Sequence, residues 1–190
     1  MRCRTIAYSG EMEPRTTHLL AISGSLREAS TNTALLRAAS LLAPDDVTVR
    51  LYVGLGGLPH FNPDLDVDPL PAAVADLREQ VAAADGLLIS APEYARGVPG
   101  AFKNALDWLV SSEAFPGKPV AFFLASTRGV ASQAALRLIL ETMSARLIDD
   151  ASITIPLLGT HTDARAIVDD PAMARTIGEA LMRFASATRA

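Results

Sequence analysis

One cysteine and three histidines in 190 residues leave little material for disulfide or metal chemistry. Cys3 stands alone, so no internal disulfide, CxxC redox pair or cysteine-based zinc site can form, and a reducing cytoplasm is the simplest home. His18, His60 and His161 are scattered, with neither an HExxH motif nor carboxylates at ligand spacing, so no metal is expected. No run approaches the ~20 apolar residues of a membrane span, and MRCRTIAYSGEMEPR lacks the apolar region of a secretory signal. A soluble protein without a membrane partner is expected. Lys and Arg number 17 against 21 Asp and Glu, without a basic block, which argues against nucleic acid as a partner. The phosphate motif GxxxxGK[ST] is missing and GxGxxG does not follow the first strand pattern, so ATP, GTP and Rossmann-bound NAD are poor candidates. There is no GxSxG elbow for a serine nucleophile.

What is present is a globular composition, 49% apolar and 20% charged, at a length suited to one domain. Residues 1–16 lack a clear period and are expected to be a flexible tail, lengthened if translation begins at Met12, with one domain over 17–190. HLLAIS (18–23), VTVRLYV (47–53), GLLISA (86–91), PVAFFLA (119–125) and a weaker segment around 146–155 have the pattern of five strands. Between them run helical stripes: Leu35, Leu36, Ala39, Leu42; Val74, Leu77, Val81, Ala84; Phe102, Ala105, Leu106, Leu109, Val110; and Leu136, Ile139, Leu140, Met143. A last helix, about 171–187, starts at Pro171 behind an Asp170 cap, with Met173, Ile177, Ala180, Leu181 and Phe184 inward. Continuously apolar strands alternating with helices predict an α/β doubly wound parallel sheet covered on both faces, and ligands in that class bind beyond the carboxyl ends of the strands.

The loop SGSLREASTN (23–32) is nearly free of apolar side chains although it joins two core elements. Gly24 permits a sharp turn, Ser25, Ser30, Thr31, Asn32 and Thr33 are short donors, and the helix that follows presents free N–H groups. Arg27 adds a fixed charge with a forked donor set, suited to a phosphate monoester. A helix cap by Ser30 or Thr31 is the plain alternative, but a cap requires only one hydroxyl.

The same stretch resembles the GSLRxxSxN phosphate loop of the NADPH-dependent FMN reductases, in the flavodoxin-like superfamily. LPHFNPDLD (58–66) is similar to that family's LPxYNxDL segment and PEYARGVPGAFKNALDW (92–108) to its PEYNxxxPGxxKNxxDW signature; the likeness spans residues 18 to about 158. It implies a flavodoxin-like five-stranded sheet of order 2-1-3-4-5 and FMN as cofactor, with its ring edge on the backbone of Pro92, Glu93, Tyr94 and Ala95. Ser126, in STRG (126–129), resembles the family's S-x-G-G loop beside the ring, with a serine bonded to its own backbone as the alternative. The chain departs from the pattern in these loops: Ala95 replaces an asparagine, and Arg128 stands where a glycine would let the backbone approach the ring. Arg96 replaces a small residue.

The resemblance further implies NADPH or NADH as hydride donor, no catalytic protein residue because the flavin carries the chemistry, and Glu93 as a structural carboxylate. The small-molecule electron acceptor is left open among free flavin, quinones, azo dyes and metal oxyanions. Asn104 and Trp108, four residues apart, lie off the apolar stripe of their helix. That flank is either exposed for a partner subunit, as in the family's homodimers and homotetramers, or packed locally. An electron carrier is disfavoured by the lack of a strongly acidic surface, and a phosphoacceptor domain by Ser23-Gly24-Ser25 and Ser90-Ala91-Pro92 at the places where it needs aspartates. An interaction protein with little flavin affinity stays open because of Ala95 and Arg128.

Overall fold

In a computed structural model that describes residues 15–157 and 163–190, β1 (Thr17–Ser23) sends alternate side chains to opposite faces of one parallel sheet. Leu19 and Ala21 join the core beneath α1 (Thr31–Leu41), α5 (Ala164–Asp169) and α6 (Pro171–Arg189). Leu20 and Ile22 join the core beneath α2 (Ala72–Ala83), α3 (Gly100–Leu109) and α4 (Val130–Thr142). The remaining strands are β2 (Val47–Tyr52), β3 (Gly86–Ser90), β4 (Pro119–Leu124), β5 (Arg146–Leu147) and β6 (Ile153–Thr154). Their order is β2-β1-β3-β4-β5, with β6 also on β4, so the flavodoxin-like order expected from the sequence is what forms. Each fully buried Leu or Phe on these faces adds about 1.5–3 kcal/mol of apolar burial. No described helix is long and apolar enough to cross a membrane.

The fifth strand position is the main departure. Instead of one segment over 146–155, a 3-10 turn at Asp149–Ala151 separates β5 from β6. The β4 amide of Phe122, left without a strand carbonyl, donates to Ser152 Oγ at 3.0 Å, and that hydroxyl donates to Ile148 O at 3.1 Å. A side chain thus completes the ladder where the edge bulges outward. Val110, assigned to the apolar stripe of α3, follows the last helical residue and is exposed. Asp170 caps α6 as expected, accepting from the amides of Ala172 and Met173; the short α5, capped by Asp163, was not anticipated. Arg15 pairs with Asp85 at 2.6 Å. The rest of the expected tail, with Cys3 and Met12, and His161 lie outside the described residues.

Tyr52, at the end of β2, is buried with a hydroxyl that finds no hydrogen-bond partner among the described residues. Burial first, and the Asp76 charge second, push its phenol up to about 12. Tyr52→Phe removes an orphaned polar atom and keeps the ring, so it is expected to gain about 1 kcal/mol in chemical denaturation. A loss of stability would mean that this hydroxyl has a partner in solution.

Candidate functional site

Strand order reverses at β1, which has β2 on one side and β3 on the other, so the loops leaving β1 and β3 run to opposite faces and part at the carboxyl edge. They meet again at one contact. Gly24 N donates to Ser90 O at 2.8 Å, and a Cβ at Gly24 would lie 2.7 Å from Ala91 Cβ and 3.1 Å from Ala91 Cα. Only glycine fits there.

Beyond Gly24, hydroxyls replace an apolar core in shaping the loop. Ser23 Oγ lies 2.8 Å from Thr33 Oγ1 and also accepts from Ser25 N, while Ser25 Oγ accepts from Arg27 N. Ser30 is the N-cap of α1: its Oγ accepts from Thr33 N at 3.3 Å and its carbonyl from Ala34 N. The plain alternative therefore holds for Ser30, and it leaves two amides over. Thr31 N and Asn32 N have no acceptor among the described residues, as expected of a helix start open to an anion. Asn32 is 9% exposed, and its Oδ1 accepts from Ser90 Oγ at 3.0 Å. That bond leaves the amide NH2 of Asn32 without an acceptor among the described residues.

The loop after β3 departs from ordinary backbone. Tyr94 and Gly97 exchange two N–H···O bonds, at 3.1 and 2.9 Å, around Ala95 (φ 49°) and Arg96 (φ 60°). Two left-handed residues in a two-residue hairpin loop suit Asn-Gly; with Ala and Arg each costs about 1 kcal/mol. Glu93 Oε2 accepts from Ser132 N of α4 at 2.9 Å. In the loop after β4, Ser126 Oγ accepts from Arg128 N at 3.1 Å, the own-backbone bond open as its alternative.

A cleft of about 300 Å³ lies between these loops, lined by Thr31, Asn32, Pro92, Glu93, Ser126 and Arg128 among others. Five candidate residues meet there. Ser25, Arg27, Ser30, Tyr94 and Ala95 do not line it: Ser30 is occupied as a cap, Arg27 and Tyr94 are exposed at the rim, and Arg27 takes part in none of the ion pairs among the described residues. Arg128 and Gln133 were not anticipated as lining residues. Arg128 was visible only as a departure from a glycine pattern, and nothing in the apolar stripe of α4 signals that Gln133 faces the cleft. A larger groove of about 530 Å³, lined by His18, Thr48, Arg50 and Asp76, lies over β1 and β2 and holds no candidate residue.

The loop after β2 is pinned to α3, so of the two alternatives for the Asn104 and Trp108 flank the local packing is the one that forms. Trp108 is fully buried, its Nε1 donating to Pro59 O at 2.8 Å. Asn104 Nδ2 donates to the same carbonyl and its Oδ1 accepts from Phe61 N at 2.8 Å. The far end is held by Asp66, which accepts from Ser111 Oγ and pairs with Arg78 at 2.7 Å. The Ser111 hydroxyl lowers the Asp66 carboxyl below its usual range, Arg78 acts in the same direction and burial opposes both.

A family model for NADPH-dependent FMN reductases matches residues 17–157. Over 110 residues the chain is 42% identical to an NAD(P)H-dependent FMN reductase of Pseudomonas aeruginosa, covering 57% of this chain and 59% of that protein. A 2-hydroxy-1,4-benzoquinone reductase of a Burkholderia species is 47% identical over 87 residues, 46% of each chain. The chain thus aligns with about half the length of these curated relatives. The flavoenzyme NAD(P)H:(acceptor) oxidoreductase FerB of Paracoccus denitrificans superposes with a TM-score of 0.77 at 27% identity, covering 92% of this chain and 98% of that one.

Two expectations follow from the backbone of the site. Gly24→Ala forces the β1 and β3 loops apart and is expected to cost ~1–3 kcal/mol in urea denaturation; an unchanged midpoint would refute the close contact. Combining Ala95→Asn with Arg96→Gly relieves the left-handed turn and is expected to raise the melting temperature, by about 1 kcal/mol in stability. A lower melting temperature would show that the native side chains make compensating contacts.

Proposed function

The chain belongs to the NADPH-dependent FMN reductase family, and from that premise we propose that it holds FMN at the carboxyl-edge cleft and reduces a small-molecule electron acceptor with hydride drawn from NADPH or NADH. The unpaired amides of Thr31 and Asn32, opening into a cleft shared by three loops, support this function most directly. They fit a dianionic phosphate ester at the positive end of α1. Ser25, Ser30, Thr31 and the NH2 of Asn32 add short donors, and Arg27 at the rim adds a charge that needs no further partner in the protein. Pro92 and Glu93 bring backbone groups to the cleft from the loop after β3, with Tyr94 and Ala95 just beyond its lining, and the uncharged edge of the flavin ring requires donors and acceptors rather than charge. Ser126 lines the cleft from the loop after β4.

FMN, when bound, supplies the hydride-accepting and electron-releasing chemistry. The protein's part is to bind the phosphate, orient the ring and leave one ring face accessible to the second substrate. No protein acid or base is required at the reacting atom, and none of the cleft carboxylates is assigned such a role. Reduction of a quinone is the most economical acceptor chemistry, since a flat ring can enter an open cleft. A homodimer or homotetramer fits the exposed apolar side chains Leu26, Val53, Leu65 and Val67 on the neighbouring loops. A cytoplasmic location fits a reaction that draws on NAD(P)H.

Titration with FMN and with riboflavin is the decisive measurement. FMN is expected to bind more tightly, and Arg27→Ala or Asn32→Ala to weaken FMN by ~1–3 kcal/mol while riboflavin changes little. Equal affinity for the two ligands would remove the phosphate assignment. Stopped-flow mixing of the FMN-loaded protein with NADPH or NADH is expected to bleach the flavin, and no bleaching with either donor would rule out the activity.

A further inference from the structure

The first turn of α4 lacks a cap of its own. Gly129 stands at the N-cap position with no side chain to accept a hydrogen bond, although a helix start favours an oxygen acceptor and a negative charge. The acceptor arrives from elsewhere in the sequence: Glu93 Oε2 takes the Ser132 amide at 2.9 Å. Ser132 is 3% exposed, and its hydroxyl makes a longer bond, 3.4 Å, to Pro92 O. One residue of α4 therefore grips two consecutive residues of the loop after β3. A Cβ at Gly129 would sit 3.7 Å from Glu93 Cβ, so the two segments are in van der Waals reach as well.

Pro92 and Glu93 line the cleft from the loop after β3, and Ser126, Arg128 and Gly129 line it from the loop after β4. We propose that Glu93 is a positioning residue: its carboxylate, bonded across to Ser132 N, latches the β3 loop to the start of α4 and fixes the separation of the two cleft walls. The latch also holds the root of the left-handed hairpin, because Glu93 immediately precedes Tyr94, whose pairing with Gly97 closes the strained turn. The other root is held by Pro99, whose carbonyl accepts from Phe102 N and Lys103 N at the start of α3. Glu93 thus acts on a ligand through the geometry of both loops. The effect on flavin rests on the function proposed above; the latch itself does not.

Two variants separate the bond from the charge. Glu93→Ala removes the acceptor, whereas Glu93→Gln keeps a side-chain oxygen for the Ser132 amide. In the ligand-free protein, hydrogen exchange is expected to rise about tenfold or more in Glu93→Ala at residues 92–98 and at 129–133 together, and to stay within about twofold of wild type in Glu93→Gln. In binding titrations Glu93→Ala is expected to weaken FMN and riboflavin by the same factor, about tenfold, because the walls rather than the phosphate contacts are altered. Exchange that is unchanged, or raised only in α4, would overturn the latch and leave Glu93 at most a helix cap. Glu93→Gln binding flavin as poorly as Glu93→Ala would also overturn it, by showing a charge that acts on the ligand. Should the wild-type protein bind neither flavin, the proposed function falls and the exchange measurements alone decide the latch.

Discussion

The contact between Gly24 and Ala91 leaves no room for a side chain, and the candidate site is arranged around it. Where strand order reverses, the connections from β1 and β3 depart to opposite sides of the sheet and a crevice opens between them. The glycine lets the two loops touch at the base of that crevice before they separate. Above the contact, the α1 start presents its unpaired amides to the cleft. A side chain at position 24 would displace both loops at once, so the fold and the site depend on the same absent methyl group.

The loops around this base hold their shapes by different means, each suited to how much apolar surface is within reach. The loop after β1 has almost none and is ordered by hydroxyl-to-amide bonds among Ser23, Ser25, Ser30 and Thr33. The loop after β2 lies over α3 and is fixed by the buried Trp108 and by Asn104, both bonded to the Pro59 carbonyl. The loop after β3 is tied across to α4 by Glu93. A loop whose backbone bonds are satisfied by side chains can be polar and still be ordered, which a preformed ligand site requires.

The family match covers the loops that line the cleft. The matched region ends at residue 157, and all ten candidate residues fall inside it. The positions at which this chain departs from the pattern lie in two loops: Ala95 and Arg96 in the left-handed hairpin after β3, and Arg128 in the loop after β4 that lines the cleft. In the loop after β1, by contrast, Gly24, Ser25, Arg27, Ser30 and Asn32 keep the residues of the pattern.

Apolar periodicity and turn residues were enough to determine the strands, the main helices, their alternation and the Asp170 cap, because each rests on residues within a few positions of one another. The polar run after the first strand was equally legible, since so many donors in ten residues exceed what a helix cap requires. Tertiary structure alone decided the rest. It buried Trp108 under the β2 loop rather than leaving it for a partner, brought Arg128 and Gln133 to the cleft, and broke the last strand at Asp149–Ala151 with Ser152 standing in for the ladder. Each of these is settled by contacts between residues distant in sequence, such as Glu93 and Ser132 or Pro59 and Trp108. Local patterns record which face of an element is apolar; they do not record which distant group will meet it.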